Sequence, residues 1–399
     1  MLGTDPEHAA DMRQFGLNMQ RVNLMVLEKR MDRTLRIAFD AKRAYHNHRG
    51  LGNYSRDVIR LLTTYAPENE YLLFAKPTEQ YSFPHTQTIT PKGLWALIPS
   101  LWRSYGCLQK LDGVDIYWGL SGELPYGIHK YKVKKIVTIH DVIFLRYPEL
   151  YSTTYRWLFR QKMRYALKVA DVIVAISEQT KQDIVSYFGI DAQRIHVVYQ
   201  GCSNRFREPV SEECATQVML KYSLPEHYLL TVGAIEPRKN LRNLIEAMSC
   251  AHIDLPLVAV GGKSKYAEQM AQLSREKGVV LKMIHNLPFE DLPAVYKGAE
   301  LFCYPSIFEG FGIPILESMC IGTPVLTSTG SCFAETGGEA ALYADPSAPH
   351  EIGKQLIRIL SDCDLRRKMV VKGHRQAEMF TDDKVAQNLI QVYQKLCAY

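Results

Sequence analysis

No stretch of this chain is long and apolar enough to read as a membrane span; its apolar runs are strand-sized and interrupted by charge. The nine cysteines include no CxxC pair, and no histidines cluster at metal spacing. Neither a disulfide framework nor a structural metal is expected, and the scattered thiols suit a reducing cytoplasm. Low-complexity tracts are missing too, and 23% charged with 10% aromatic residues argues against global disorder. Residues 1–33 never build an uninterrupted apolar region, and Asp5, Glu7 and Asp11 come early, so no secretory signal is expected there. That segment reads as an extension with one amphipathic helix around Phe15–Met31, and Met25 and Met31 are alternative starts.

What is present is enough apolar residue, 47% of 399, for two globular domains with separate cores. The net charge of +6 is mild, and no nucleic-acid partner is expected. The charge is uneven, however. Ten Lys and Arg fall in 127–170 (Lys130, Lys132, Lys134, Lys135, Arg146, Arg156, Arg160, Lys162, Arg164 and Lys168) against Asp141 and Glu149. Upstream lies "LWALIPSLW", with Trp95 and Trp102. A basic face with Trp anchors suits an anionic membrane surface; a solvated helix face beside a buried Trp pair fits the same residues. The first reading places the protein in the cytoplasm, peripheral on the inner face of the cytoplasmic membrane.

The dominant pattern is a short apolar strand, a turn and a helical stretch, repeated. Strands are expected at Leu35–Asp40, Tyr71–Phe74, Asp115–Trp118, Ile136–His140, Val172–Ile176 and His196–Tyr199. A second series follows at Tyr228–Val232, Leu257–Gly261, Val279–Ile284, Leu301–Tyr304, Val325–Ser328 and Leu342–Ala344. Helices are expected at Asn53–Thr64, Thr153–Val169 and Glu178–Phe188, with later ones starting near Leu241, Lys265, Asp291 and Pro314. This alternation predicts parallel sheets covered on both faces, α/β in class. The polar stretch "GCSNRFREPVSEEC" separates the two series, giving domains at 34–205 and 206–380. The last segment, 381–399, is an amphipathic helix with no strand after it.

Ligands of open parallel sheets sit beyond the carboxyl ends of the strands, so residues there take the chemical reading. After the first strand comes "YHNHRGLGNYSRDV", where Gly50 and Gly52 allow a tight turn at a helix start, a phosphate-attracting place. As a dinucleotide fingerprint it fails, because Ser55 holds the third glycine position. In "IVTIHDVIFLRYPE", His140 and Asp141 stand where a buried strand turns polar. In "LLTVGAIEPRKNLRNLIEAM", Arg238 and Lys239 follow Gly233 at a helix start, against the dipole; an anionic ligand such as a diphosphate resolves that conflict. "EGFGIPILE" follows Leu301–Tyr304, with Pro314 suited to the first helical position. Its Gly310 and Gly312 permit close backbone approach, and Glu309 and Glu317 then touch different parts of one elongated ligand. "SMCIGTPVLTSTGSCFAETGG" adds a Gly-rich loop after the next strand. Asp362-Cys-Asp364 superficially imitates a metal-binding pair but lies between helices, where it reads as a cap and turn.

These stretches together resemble the family-four retaining glycosyltransferases. Glu309 through Glu317 has the E-x7-E arrangement, "GAIEPRKNLRNLIEA" is similar to the phosphate-binding loop, "RGLGNYSRDVIRLL" to the first glycine loop, and "TIHDVIFLRYPE" to the histidine-bearing strand. The resemblance runs from about Leu35 to the C-terminus, and is nearest to bacterial mannosyl- and related transferases of surface polysaccharides. It implies two Rossmann-like domains facing a cleft (GT-B), with the last helix crossing back to the N-terminal domain. It also implies transfer of a hexosyl residue, mannose by preference, from a nucleotide-diphosphate sugar to a glycan or lipid-linked saccharide acceptor. No metal or other cofactor is implied beyond the donor itself.

By the same resemblance, Glu309 contacts donor hydroxyls and Glu317 the ribose. Arg238 and Lys239 neutralise the diphosphate beside Gly233, while Gly310, Phe311 and Gly312 bring backbone to it. Asn286 sits near the base, Gly50 and Gly52 close over the phosphates, and His140 lines the reaction centre. Attack from the same face, assisted by the departing phosphate, is implied for retention. A nucleotide-sugar-binding protein without turnover and a dinucleotide-dependent α/β enzyme remain as alternatives.

Overall fold

The computed structural model describes residues 34–48 and 50–397, so the extension 1–33 and its expected helix lie outside the described residues. Among the described residues, thirteen strands form two sheets. The first contains β1 (Arg36–Asp40), β2 (Glu70–Phe74), β3 (Thr86–Ile89), β4 (Ile116–Gly119), β5 (Lys134–Ile139), β6 (Val172–Ala175) and β7 (Ile195–Val197). The second contains β8 (Leu229–Val232), β9 (Leu257–Val260), β10 (Leu281–Ile284), β11 (Leu301–Tyr304), β12 (Val325–Ser328) and β13 (Ala341–Ala344). Their orders are β3-β2-β1-β4-β5-β6-β7 and β10-β9-β8-β11-β12-β13. Every pair with an assigned register is parallel.

In both sheets the chain first winds outward, then returns to the opposite side of its starting strand. That reversal makes the crevices at β1/β4 and β8/β11 the topological switch points, where ligands of such sheets bind. Helices on both faces explain why central strands are buried throughout: β4, β6, β9, β11 and β12 have no exposed residue. Phe39, Leu73, Phe74, Ile116, Tyr117 and Trp118 fill the first core, and Leu229, Leu244, Ile245, Leu257 and Leu301 the second.

Helix starts carry the expected chemistry. Ser177, Ser211 and Ser264 cap the helices Glu178–Phe188, Glu212–Lys221 and Lys265–Glu276 by accepting from backbone N–H groups. Asp362 does the same for Cys363–Ala377, accepting from Leu365 N at 2.8 Å, while Asp364 pairs with Arg367. The cap reading of that acidic pair holds.

Contact density divides the described residues into two compact units: one holds 34–137, Tyr165–Ile173 and 386–397; the other holds Thr138–Arg164 and Val174–Val385. This cut passes through β5 and β6, unlike the sequence division at 205/206. The last helix, Asp382–Cys397, starts in the second unit and continues in the first, where Asn69 donates to Tyr393 OH at 3.3 Å. Among the described residues no helix is long and apolar enough to cross a membrane.

Two sequence readings need correction. Pro314 is the second helical residue, because Ile313–Ile321 begins one residue earlier. Trp102 is not an exposed anchor; it is buried and stacked on Phe74, and Leu94 and Leu97 are exposed instead.

Candidate active site

The β8/β11 switch point gathers most of the selected residues. β8 leads into Gly233, whose φ of +143° is a conformation L side chains rarely adopt. The loop then runs to Asn240, in the left-handed region at φ 60°, which opens the helix Leu241–Cys250. Asn240 Nδ2 donates to Pro305 O at 3.0 Å and Pro346 O at 2.7 Å, fastening this loop beside the exits of β11 and β13. Arg238 and Lys239 are thereby aimed at the loop after β11.

That loop supplies Glu309. Its Oε1 lies 2.6 Å from Lys239 Nζ and its Oε2 2.8 Å from Arg238 Nη1. Lys239 Nζ also donates to Tyr304 OH at 2.6 Å, and Arg238 donates to Phe308 O at 2.7 Å and pairs with Glu236 at 2.8 Å. Burial opposes ionisation of Glu309, but Lys239 and Arg238 outweigh it and hold the carboxyl down to about 2. Glu309 is therefore an anion, and hence an acceptor, at any physiological pH. The conflict between two cations and a helix N-terminus is met inside the protein by Glu309 and Glu236.

Glu317 lies apart, on the helix Ile313–Ile321, where Tyr296 OH donates to its Oε2 at 3.0 Å. Burial raises its carboxyl to about 7, with the tyrosine hydrogen bond acting in the opposite direction. Folding thus favours the protonated acid, so stability falls as pH rises from the ordinary 4.5 through about 7. Glu317→Gln is expected to melt with wild type near pH 4.5 and to be more stable above pH 7, by about 3 kcal/mol. Thermal melts across that window check this, and an equal or lower melting point for the variant above pH 7 contradicts it.

Close backbone approach explains several glycines. A Cβ on Gly310 would fall 2.3 Å from His140 O, a carbonyl that also accepts from Thr180 Oγ1 at 3.2 Å. His140, just past β5, is thus held against the Glu309 loop within one unit. A Cβ on Gly261 would meet Gly233 O at 2.2 Å, and His285 Nδ1 lies 2.7 Å from Gly261 O. Asn286 follows at φ 57°, exposed at the same end of the sheet. Gly312 caps its helix at φ +94°, and Phe311 turns its ring inward between Tyr199 and Phe380.

Gly50 and Gly52 belong to the first unit, at the start of the helix Gly50–Tyr65, which begins three residues earlier than expected. They differ in kind. A Cβ on Gly52 would sit 1.7 Å from Asn47 O, whereas nothing lies within 4 Å of one on Gly50.

Sequence reasoning missed Tyr304, Tyr296 and Ser331. Ser331 Oγ accepts from Glu309 N at 3.1 Å and lies 3.0 Å from Glu309 O, pinning the loop from the far side. Its position in the Gly-rich stretch after β12 was a usable signal; the two tyrosines looked like ordinary core.

The geometry agrees with comparisons to known proteins. Residues 57–203 match the family described as Glycosyltransferase Family 4, and residues 221–376 match Glycosyl transferases group 1. The O-antigen chain mannosyltransferase B of Escherichia coli is 30% identical over 289 residues, 70% of this chain and 74% of that one. Sucrose-phosphate synthase from Thermosynechococcus elongatus superposes with a TM-score of 0.73 at 21% identity, covering 91% of this chain and 99% of its own. Anabaena HepE in complex with UDP gives 0.71 at 16% identity, covering 92% and 100%. With its two sheets of GT-B type and its switch-point cations in place, the chain belongs to the family 4 glycosyltransferases.

Proposed function

We propose that the enzyme moves a mannosyl residue, with retention, from a nucleotide-diphosphate mannose to a glycan or lipid-linked saccharide in surface-polysaccharide synthesis. The observation that carries this is the Arg238–Glu309–Lys239 constellation at the β8/β11 switch point. When the bond between the sugar and the diphosphate breaks, negative charge grows on the leaving oxygen. In this reading Arg238, Lys239 and the N–H groups opening the helix Ile313–Ile321 meet it. Leaving-group charge is then balanced by side-chain cations, and no metal need be invoked. Glu309, ionised and fixed by both cations, accepts from sugar hydroxyls; the acceptor hydroxyl attacks from the same face and passes its proton to the departing phosphate. Glu317 serves the ribose and Asn286 the base end.

The name of the E. coli relative, an O-antigen chain mannosyltransferase, supports mannose and a polysaccharide acceptor. A protein that binds a nucleotide sugar without turnover is the rival. Glu309→Gln separates them: it keeps shape but weakens the tie to both cations, so transfer should fall far more than nucleotide affinity. Donor binding by the wild type with no transfer to any acceptor favours the binding protein.

A peripheral place on an anionic membrane belongs to the same proposal, through the basic 127–170 region. Lys130, Lys132, Arg160, Arg164 and Lys168 are exposed there, and Trp157 is 63% exposed. Binding to anionic vesicles is expected to fall with added salt.

A further inference from the structure

Two of the scattered cysteines meet. Cys202, in the loop after β7, and Cys320, on the helix Ile313–Ile321, are 118 residues apart in sequence, yet their sulfurs lie 3.4 Å apart. Both are free thiols within the same unit. Neither has a task in the proposed transfer.

The surroundings hold both partners in place. Gly201 packs so closely against the chain at Phe380 that a Cβ there would fall 3.0 Å from the Phe380 carbonyl oxygen. Asn204 Nδ2 donates to Asp382 Oδ2 at 2.9 Å, and Arg207 Nη2 donates to Ala377 O at 2.9 Å and Phe380 O at 3.1 Å. On the other side, Gly322 ends the helix at φ +92°, its N–H returning to Ser318 O at 3.0 Å. The sulfurs thus face each other from fixed backbone on both sides. A bridge needs them to close by about 1.4 Å, to a usual bond of about 2.0 Å.

The two thiols are unequal. Cys202 is 4% exposed, whereas Cys320 is half-buried. The hydrogen bond from Cys202 lowers the Cys320 thiol, against its burial and with help from Arg207; the same bond, together with burial, raises Cys202. Cys320 is therefore the nucleophile that an oxidant meets first, and Cys202 the resolving thiol.

We propose that Cys202 and Cys320 are a modification site, a reversible peroxide-sensitive disulfide that ties the helix carrying Glu317 to the loop after β7. The sulfur of ionised Cys320 attacks hydrogen peroxide: an S–O bond forms, the O–O bond breaks, and the leaving hydroxide regains the proton shed by Cys320 and departs as water. The Cys202 sulfur then attacks the sulfenic acid: the S–S bond forms, the S–O bond breaks, and the Cys202 proton leaves with that oxygen as a second water. A dithiol reductant returns both thiols. Cys320 stands three residues past Glu317 on one helix face, so the bridge pulls where Tyr296 fixes the carboxyl. The bridge stands on the sulfur geometry; its effect on donor affinity rests on the transferase reading above.

Peptide mass spectrometry tests it, on the full chain reduced, treated with hydrogen peroxide and alkylated under denaturing conditions. A linked Cys202–Cys320 peptide, removed by dithiothreitol, is expected. In Cys202→Ser, dimedone should trap Cys320 as the sulfenic acid; in Cys320→Ser, Cys202 should take up none. Affinity for GDP and UDP is read by calorimetry on the same samples. The tighter of the two should weaken about tenfold on oxidation, the worth of one hydrogen bond, and recover with dithiothreitol. The double serine variant should keep its affinity through the same treatment; it retains the exposed Cys214, Cys250 and Cys363, which report any effect of oxidation elsewhere. No link while those three oxidise overturns the proposal, as does a link that leaves nucleotide affinity unchanged. Dimedone on Cys202 alone overturns the assignment of roles. A link in a protein that binds neither nucleotide, reduced or oxidised, refutes the transferase reading alone, and the bridge stands.

Discussion

Lys239→Ala is expected to lower donor turnover by roughly 10²–10³-fold, the usual loss when one preorganised charge stabiliser is removed. The side chain makes two contacts at 2.6 Å, to Glu309 and to Tyr304 OH, so its removal acts twice. It deletes a cation that the proposed mechanism sets against the leaving group and leaves Arg238 as the cation paired with Glu309. The Glu309 carboxyl should then titrate above its present value of about 2. Lys239 lies outside the apolar core, so circular dichroism should report an intact fold. Steady-state kinetics with a nucleotide-sugar donor check this; unchanged kinetics contradict the diphosphate assignment.

Gly310→Ala tests placement in place of charge. The new methyl would fall 2.3 Å from His140 O and 3.2 Å from Ile176 Cδ1. A backbone carbonyl cannot rotate away as a side-chain tip can, so the Glu309 loop must move. A displacement near 1 Å at a reacting site costs about 10²-fold in rate, and the loss is expected in kcat with some loss of thermal stability. Gly262→Ala is the matched control, exposed and with nothing within 4 Å of its added Cβ. Equal activity in the two variants contradicts the claim that contact with His140 sets the loop.

The sequence made much of this fold legible because buried parallel strands are short apolar runs with sharp ends. Leu301–Tyr304 and Val325–Ser328 begin and end where expected, and most others differ by one or two residues. Thr86–Ile89 escaped because "TQTI" lies at the sheet edge, where half-buried polar residues suffice. Glu212–Lys221 escaped because its polar composition masked a helix whose buried residues are Ala215 and Val218.

At the candidate site, the residues after β5, β8 and β11 were selected by position, since sheet geometry favours ligands there. Their pairings were not. That Glu309 bridges Arg238 and Lys239 and that Tyr296 holds Glu317 are long-range facts. They arise only when register and loop packing bring distant segments together. "EGFGIPILE" already suggested two carboxylates with separate tasks; the structure adds that one is held ionised and the other tends to neutrality.

Released nucleoside diphosphate is the quantity that tests the central claim most directly. The purified protein would be incubated with a panel of nucleotide sugars, with and without lipid-linked saccharide acceptors. Acceptor-dependent release from one donor, GDP-mannose, is the predicted result. Donor binding with no release from any donor and acceptor pair would contradict the account.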